Sequence, residues 1–244
     1  VVRARSDNFA LSTLDEKIEE FEKRGIDSVF FVEFTAHLSQ LSPSAFIQRL
    51  LEMVNVSRIV VGENFRFGKD GKGTPQTLKM ELRQKGIDVI TVPLLKVEGT
   101  PISSTLIRNC IYDGHFLEAE KYLGRQYLIS GTVMHGKGIG HKIGFPTANL
   151  DVQGKLLPRQ GVYSGESFYS GQSYFSLFFI GKPTLSFSEE EVLEVWMEDF
   201  DDDIYGEALE VHISKFLRPT KKIDDLSELK LMITEDLKKA KNGI

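Results

Sequence analysis

The chain has 244 residues, of which 41% are hydrophobic and 27% are charged, values typical of a globular protein with one large domain or two ordinary ones. Its formal net charge of −5 gives no electrostatic reason to expect binding to nucleic acid or to an anionic membrane. No apolar run approaches the ~20 residues of a membrane span.

The first half of the chain alternates predicted helices with short apolar strands. A capping-box pattern at Ser12–Glu16 predicts a helix that ends near Gly25, and Ser42-Pro43 and Thr74-Pro75 predict the starts of two more helices. Continuous apolar runs predict buried strands at residues 28–33, 58–61 and 89–92. Helices and strands at this spacing predict an α/β domain with a parallel sheet covered by helices.

The pattern changes after about residue 125, where closely spaced strands predict an antiparallel β-barrel. The predicted strands are residues 127–134, 161–169, 173–180, 192–198 and 208–216. A C-terminal helix is predicted over residues 225–241, with an inward face of Leu229, Met232, Ile233 and Leu237. A helical stretch over residues 104–123, broken at Gly114, is the predicted connection. We therefore predict two domains, 1–123 and 124–244.

The connecting stretch contains Cys110, which is the only cysteine of the chain. A single cysteine excludes an intrachain disulfide, and its use fits a reducing cytoplasm. Because Cys110 follows the apolar periodicity of its helix, we predict a small core residue rather than a nucleophile.

The segment from His135 to Asn149 is the most informative part of the sequence. It combines two lysines with four glycines, namely Lys137, Lys142, Gly136, Gly138, Gly140 and Gly144. Glycines let backbone amides approach a polyphosphate and lysines neutralise its charge, although a mobile loop has the same composition. His135 and His141 have no further His or Cys nearby to complete a metal site, so we expect phosphate-loop or solvent residues.

A Phe-Pro-Thr-Ala-Asn run ends this segment and contains Thr147 and Asn149. In an extended backbone these two side chains point to one face. A hydroxyl beside an amide oxygen suits Mg²⁺ held between protein and phosphates. The alternative is a turn pair that satisfies the backbone.

These motifs resemble the riboflavin kinase family, and the resemblance extends from Gly124 to the C-terminus. The matching pieces are 131–136, 144–149, 161–163, 193–195, 199–200, 203–206 and 216–218. The resemblance implies a small β-barrel that transfers the γ-phosphate of ATP to the 5′-hydroxyl of riboflavin, which gives FMN and ADP. It also implies Mg²⁺ on Thr147 and Asn149, with the phosphates against Gly136, Gly138, Gly140 and Lys142.

Glu194 matches the catalytic base of that family. A primary alcohol attacks phosphorus poorly unless a base accepts its proton, and a positioned carboxylate supplies about 10²- to 10⁴-fold in rate. Strand parity places Glu194 on one face with Val192 and Trp196, and apolar neighbours would make its carboxyl hold a proton more tightly. The alternative is an ordinary exposed strand glutamate. Arg218 matches an arginine near the ligands of the family and is predicted to bind flavin; the alternative is a surface salt bridge.

The first half resembles the FMN adenylyltransferase domain that is fused to this kinase in bacterial FAD synthetases, a nucleotidyltransferase with a Rossmann-like parallel sheet. Residues 61–68 match a loop that follows a buried strand, and its Asn64 and Arg66 are predicted to bind nucleotide at the carboxyl end of the sheet. Residues 102–108 match a phosphate motif at a helix N-terminus formed by Ser103, Ser104, Thr105 and Arg108. The alternative is an N-cap followed by a surface arginine.

The implied ligands are riboflavin, FMN, FAD, ATP and ADP, with neither nucleic acid nor a membrane as partner. The chain also departs from the family. A histidine motif that stabilises charge on the α-phosphate is missing and no initiator Met is present, so we expect the chain to begin downstream of that motif and to make little FAD.

In the kinase half, Phe179 stands where the family has Asn in a loop one residue longer, Trp196 replaces His or Tyr, and Asp202 replaces Gly. These replacements bear on the shape of the flavin pocket and leave the catalytic motif intact. The alternatives to a bifunctional enzyme are a riboflavin kinase with a vestigial first domain and a non-catalytic flavin- or nucleotide-binding protein.

Overall fold

The computed structural model describes residues 10–136, 138–152, 154–182, 191–223 and 225–242. Lys137 of the predicted phosphate loop and part of the loop after Phe179 lie outside the described residues. The chain forms two compact units, one of which comprises Phe21–Ile102. The other comprises the described residues before Phe21 and after Ile102. The division of the sequence between residues 123 and 124 remains a prediction.

Helix α1 (Leu14–Lys23) begins where the capping-box pattern predicts. The Thr13 hydroxyl accepts a hydrogen bond from the Glu16 backbone, and the Glu16 carboxylate accepts one from the Thr13 backbone, both at 3.2 Å. This reciprocal arrangement satisfies two backbone N–H groups that the first helical turn leaves without partners.

The unit Phe21–Ile102 contains α2 (Ala36–Ser39), α3 (Pro43–Met53), β1 (Arg58–Gly62), α4 (Pro75–Arg83), β2 (Asp88–Val92), β3 (Lys96–Val97) and β4 (Thr100–Pro101). Strands β1 and β2 are parallel, as predicted. Ser42 and Thr74 cap α3 and α4, each followed by a proline in the first turn. The buried core joins the two helices to the sheet and consists of Ile47, Phe67, Leu78, Leu82 and Val89.

The predicted strand at residues 28–33 is wrong. These residues form no strand in the structure, and Phe30 and Phe31 are 67% and 57% exposed. A continuous apolar run is typical of a strand buried on both faces. A strand also needs a neighbour for its backbone hydrogen bonds, and the described sheets of this unit pair β1 with β2 and β3 with β4.

The second unit contains a helical pair, α5 (Ser104–Asp113) and α6 (Phe116–Leu123), followed by a barrel and a C-terminal helix. The elements after α6 are β5 (Leu128–Met134), α7 (Ile139–Ile143), β6 (Ala148–Asp151), β7 (Gly161–Tyr169), β8 (Gln172–Gly181), β9 (Val192–Met197), β10 (Ala208–Arg218) and α8 (Leu226–Lys241). Gly114 separates α5 from α6 in the left-handed conformation, at φ 83°, which glycine adopts without steric cost. Cys110 is buried in α5, and burial raises the pKa of its thiol.

Six strands close the barrel in the order β10-β5-β6-β9-β8-β7, and all pairs are antiparallel. The antiparallel barrel with a C-terminal helix is therefore confirmed. Strand β6 was not among the predicted strands, because four residues of sequence Ala-Asn-Leu-Asp carry little β propensity. Its position depends on pairing with β5 and β9.

Residues 10–20 belong to the same compact unit as the barrel. Ala10 forms a parallel bridge with Lys155, and the Ala10 carbonyl accepts a hydrogen bond from the Leu156 backbone at 2.9 Å. Glu16 forms an ion pair with Lys155, whose side chain is fully buried. This segment is thus packed as part of the barrel unit, although residues 21–102 separate it from the barrel in sequence. Among the described residues, no helix has the length and apolar composition needed to cross a membrane.

Candidate active site

Five side chains form one row across the barrel wall. Arg218 lies opposite Val162, which lies opposite Phe179. Phe179 in turn lies opposite Glu194, which lies opposite Asn149. Directly paired residues on neighbouring strands point to the same face of a sheet. The barrel therefore presents the predicted base, the predicted flavin-binding arginine and one predicted metal ligand on a single face.

A cavity of about 140 Å³ is lined by four members of this row, with Asn149 as the exception. Apolar residues of α7, α8 and the neighbouring strands form much of the rest of its wall, including Ile139, Ile143, Phe145, Trp196, Leu229 and Ile233. Within the described part of the chain, the charged residues that line it are Glu194, Arg218, Lys221 and Asp236. The cavity is thus a mainly apolar pocket with a few charged groups, the composition expected of a small-molecule site.

Glu194 is half-buried in this wall, in contrast to the exposed strand glutamate of the alternative interpretation. Burial raises the pKa of its carboxyl, and a hydrogen bond from Thr147 acts in the opposite direction. The first effect is the larger because the charged carboxylate loses hydration. A carboxylate with a raised pKa holds a transferred proton more tightly, which suits a general base.

Thr147 lines this cavity and a second one of about 330 Å³. The wall of the second cavity includes Gly138, His141, Pro146, Met197, Asp201, Asp202, Asp203 and Tyr205. Thr147 therefore lies in the wall of both cavities. Its hydroxyl also contacts Glu194.

Gly136 and Gly140 pack tightly against the predicted metal ligands. A Cβ on Gly136 would lie 2.0 Å from Nδ2 of Asn149, and a Cβ on Gly140 would lie 2.2 Å from the Phe145 carbonyl oxygen and 3.1 Å from Oγ1 of Thr147. Only glycine permits such an approach. The structure thus brings Gly136, Gly140, Thr147 and Asn149 together, with the backbone of the loop against both polar side chains.

The remaining residues of the predicted phosphate loop lie around α7. Gly138 precedes α7 with φ at 65° and lines the second cavity with His141. Lys142 is exposed on α7. The His135 ring packs on the ring of Tyr205, with 3.8 Å between centroids, so His135 has an aromatic partner.

Arg218 forms a two-pronged ion pair with Asp236 of α8. Its Nε donates to Oδ1 at 2.8 Å and its Nη2 donates to Oδ2 at 2.7 Å. Asp236 is 1% exposed, so this pair differs from the surface salt bridge that was the alternative for Arg218.

Asp236 is a site residue that the sequence analysis missed. It lies on the same helical face as Leu229, Ile233 and Ala240, at spacings of three and four residues. An acidic residue on an otherwise apolar helical face could have predicted this pair, because a buried charge requires a partner of opposite charge.

The predicted adenylyltransferase residues lie in two units. Asn64 and Arg66 are exposed in the loop after β1, in the unit Phe21–Ile102. In the barrel unit, Ser103 is the N-cap of α5 and accepts a hydrogen bond from the Leu106 backbone at 3.2 Å. Ser104 and Thr105 are exposed in the first turn of α5, and Arg108 is half-buried one turn later.

Two family models match this chain. The riboflavin kinase family model matches residues 123–244, and the FAD synthetase family model matches residues 1–106. The bifunctional riboflavin kinase/FMN adenylyltransferase of Listeria monocytogenes is 34% identical over 229 residues, which cover 93% of this chain and 72% of that protein. The protein of the same name from Bacillus subtilis is 33% identical over 234 residues, which cover 94% and 74%.

A crystal structure described as a macrolide-efflux protein from Streptococcus pneumoniae is also similar. It has a TM-score of 0.79 and 32% identity, over 93% of this chain and 74% of its own. The relatives from Listeria and Bacillus share their name with the enzyme of Escherichia coli, which is 33% identical over 229 residues. On these matches, the chain belongs to the family of bifunctional riboflavin kinase/FMN adenylyltransferases.

Proposed function

We propose that the barrel unit catalyses the ATP-dependent phosphorylation of riboflavin to FMN. The observation that carries the proposal is the position of Glu194, a carboxylate with a raised pKa in an apolar cavity, beside a threonine that lines a second cavity. A reaction between two substrates needs two pockets that adjoin at the point of transfer. Family membership supports the same reaction.

In the proposed reaction the 5′-hydroxyl oxygen of riboflavin bonds to the γ-phosphorus of ATP, and the bond from that phosphorus to the bridging oxygen breaks, which releases ADP. The hydroxyl proton passes to Glu194. Thr147 donates a hydrogen bond to the same carboxylate and so holds it in place. We assign the flavin to the cavity that contains Trp196 and Phe145, whose rings lie 5.7 Å apart, because an aromatic ring system gains most from apolar walls.

The second cavity, which Gly138 lines, is assigned to ATP. We place Gly136, Gly140 and Lys142 of the same loop toward its phosphates. The residues present fit a magnesium ion that is held mainly by the nucleotide. Thr147 and Asn149 offer neutral oxygen ligands, and the glycine backbone packs closely around both. Mg²⁺ commonly takes one or two protein ligands and completes its shell with phosphate oxygens and water. When bound, the ion would neutralise charge on the transferred phosphate.

The proposal is tested by incubating the protein with riboflavin and MgATP and separating the flavins by chromatography. We expect conversion of riboflavin to FMN. Binding of riboflavin without turnover would instead favour a flavin-binding protein. Binding can be followed separately through the fluorescence of Trp196, which lines the cavity and is the single tryptophan of the chain.

As the pH is lowered, the rate of FMN formation is expected to fall at a higher pH than it would if the base were an ordinary glutamate. Glu194 must be ionised to accept the proton, and burial raises its pKa above the ~4.3 of a free glutamate side chain. Below that pKa the rate should drop about tenfold per pH unit. The measurement is kcat/KM for riboflavin as a function of pH. A profile that stays flat down to the pKa of free glutamate would contradict the assignment.

For the α/β half, family membership supports adenylylation of FMN to FAD as the second activity. Asn64, Arg66, Ser103, Ser104, Thr105 and Arg108 are the proposed nucleotide-binding residues. The test supplies FMN and MgATP and measures FAD by chromatography. The same assay decides the expectation that this chain makes little FAD, since substantial FAD formation would contradict it.

A further inference from the structure

The Arg218–Asp236 pair joins the barrel to α8 inside the proposed flavin cavity. Arg218 is the last residue of β10, and Asp236 lies in the middle of α8. The side chains of Arg218 and Asp236 are 18% and 2% exposed, and both line the cavity. A two-pronged contact of this kind fixes the plane of the guanidinium as well as its position.

Stability alone does not account for such a pair. Removing two charges from water carries a desolvation cost that often equals or exceeds their attraction, and apolar residues of similar volume commonly do as well. The surrounding face of α8 is apolar, with Leu229 and Ile233 lining the same cavity. A buried ion pair at this position therefore calls for a role in the cavity itself.

The strand register gives the separation between Arg218 and Glu194. Three strand-to-strand steps separate them, through Val162 and Phe179, and each step spans about 4.8 Å. Arg218 and Glu194 are therefore about 14 Å apart along the barrel wall. Val162 and Phe179 lie between them and form an apolar floor.

We propose that Asp236 is a positioning residue for phosphoryl transfer, an inference that rests on the proposed kinase function. It holds the guanidinium of Arg218 at one end of the floor, where the remaining N–H groups can bind polar atoms of the acceptor. Among the described residues, the other cation that lines the cavity is Lys221, which is paired with Glu228 at 2.7 Å.

The test compares Asp236→Asn with Asp236→Glu and wild type in the full chain. Asparagine cannot hold Arg218 by charge, so we expect kcat/KM for riboflavin to fall by about 10²-fold. Asp236→Glu retains the charge and should recover part of the activity.

The matched control is Glu198→Gln. Glu198 pairs with Lys241 and so also connects the barrel to α8, but it is not among the residues that line the two cavities. We expect its kcat/KM for riboflavin to match wild type. Thermal melts of each variant show whether α8 and the barrel remain folded.

A double-mutant cycle with Arg218→Gln separates positioning from general destabilisation. If Asp236 acts through Arg218, the two losses in kcat/KM should be far from additive, and the double variant should be close to Arg218→Gln alone. Additive losses, or an Asp236→Asn protein with unchanged kcat/KM, would overturn the inference while leaving the kinase function intact. A wild-type protein that makes no FMN would overturn the kinase function, and the inference with it.

Discussion

Replacement of Glu194 by glutamine is expected to lower the rate of FMN formation by about 10²- to 10⁴-fold. Glutamine has nearly the shape of glutamate and can still accept a hydrogen bond from Thr147, but it cannot take the proton of the attacking hydroxyl. Riboflavin binding should persist, because the apolar walls of the cavity are unchanged. The measurement pairs steady-state FMN formation with titration of Trp196 fluorescence by riboflavin. Turnover near the wild-type rate would exclude Glu194 as the base.

The same substitution is expected to raise stability at neutral pH. Because the pKa of Glu194 is raised by burial in the folded protein, the protonated form favours the fold. That contribution is complete below the pKa of the unfolded chain and is lost as the pH rises through the folded pKa. At neutral pH the wild-type carboxylate therefore lowers the free energy of unfolding, and Glu194→Gln removes this effect. An inactive variant that also melts earlier would point to lost structure instead of a lost base.

Removal of the Glu16 side chain is expected to destabilise the barrel unit by about 3–5 kcal/mol, the range typical when one partner of a buried ion pair is lost. The Lys155 side chain is 0% exposed, its Nζ lies 2.5 Å from Oε1 of Glu16, and it stands 5.0 Å from the centre of the Tyr127 ring. Glu16→Ala would leave this ammonium without its carboxylate. Denaturant unfolding followed by Trp196 fluorescence reports on the barrel unit.

Two controls identify the buried charge as the cause. Glu22→Ala removes an exposed glutamate from the same helix and should change the free energy of unfolding by at most about 0.5 kcal/mol. Adding Lys155→Met to Glu16→Ala removes the orphaned charge and should restore much of the loss. A Glu16→Ala variant as stable as wild type would show that the contact of residues 10–20 with the barrel does not stabilise it.

The pH dependence of the Glu16→Ala variant gives a further check. Burial already lowers the pKa of Lys155, and Glu16 opposes that shift, so the variant should lower the pKa further. Between the folded pKa and the higher pKa of the unfolded chain, the unfolded state binds more protons. Stability of the variant relative to wild type should therefore recover as the pH rises.

Local patterns in the sequence predicted much of the fold. The starts of α1, α3 and α4 were predictable because Thr13, Ser42 and Thr74 cap their own helices within a few residues. Five of the six barrel strands carry apolar residues between turn residues, and that pattern is also local. Strand β6 does not carry it, because its four residues are held by partners on both sides.

The site was predictable only in part, because its geometry depends on register. Strand parity places Glu194 on the same face as Val192 and Trp196. No local sequence pattern shows that Glu194 lies opposite Asn149 or three strands from Arg218. The ion pair between Glu16 and Lys155 joins residues 139 apart in sequence and has no local mark at all. The apolar run at residues 28–33 shows the reverse error, a strong local pattern for which the structure supplies no pairing strand.

The most direct test of the proposed role of Glu194 is a crystal structure of the Glu194→Gln protein with riboflavin and a non-hydrolysable ATP analogue. We expect the flavin ring against Trp196 and the terminal ribityl hydroxyl within about 3 Å of the side chain at position 194, a distance that permits proton transfer. A flavin bound with that hydroxyl directed away from position 194 would contradict the assignment of Glu194 as the base.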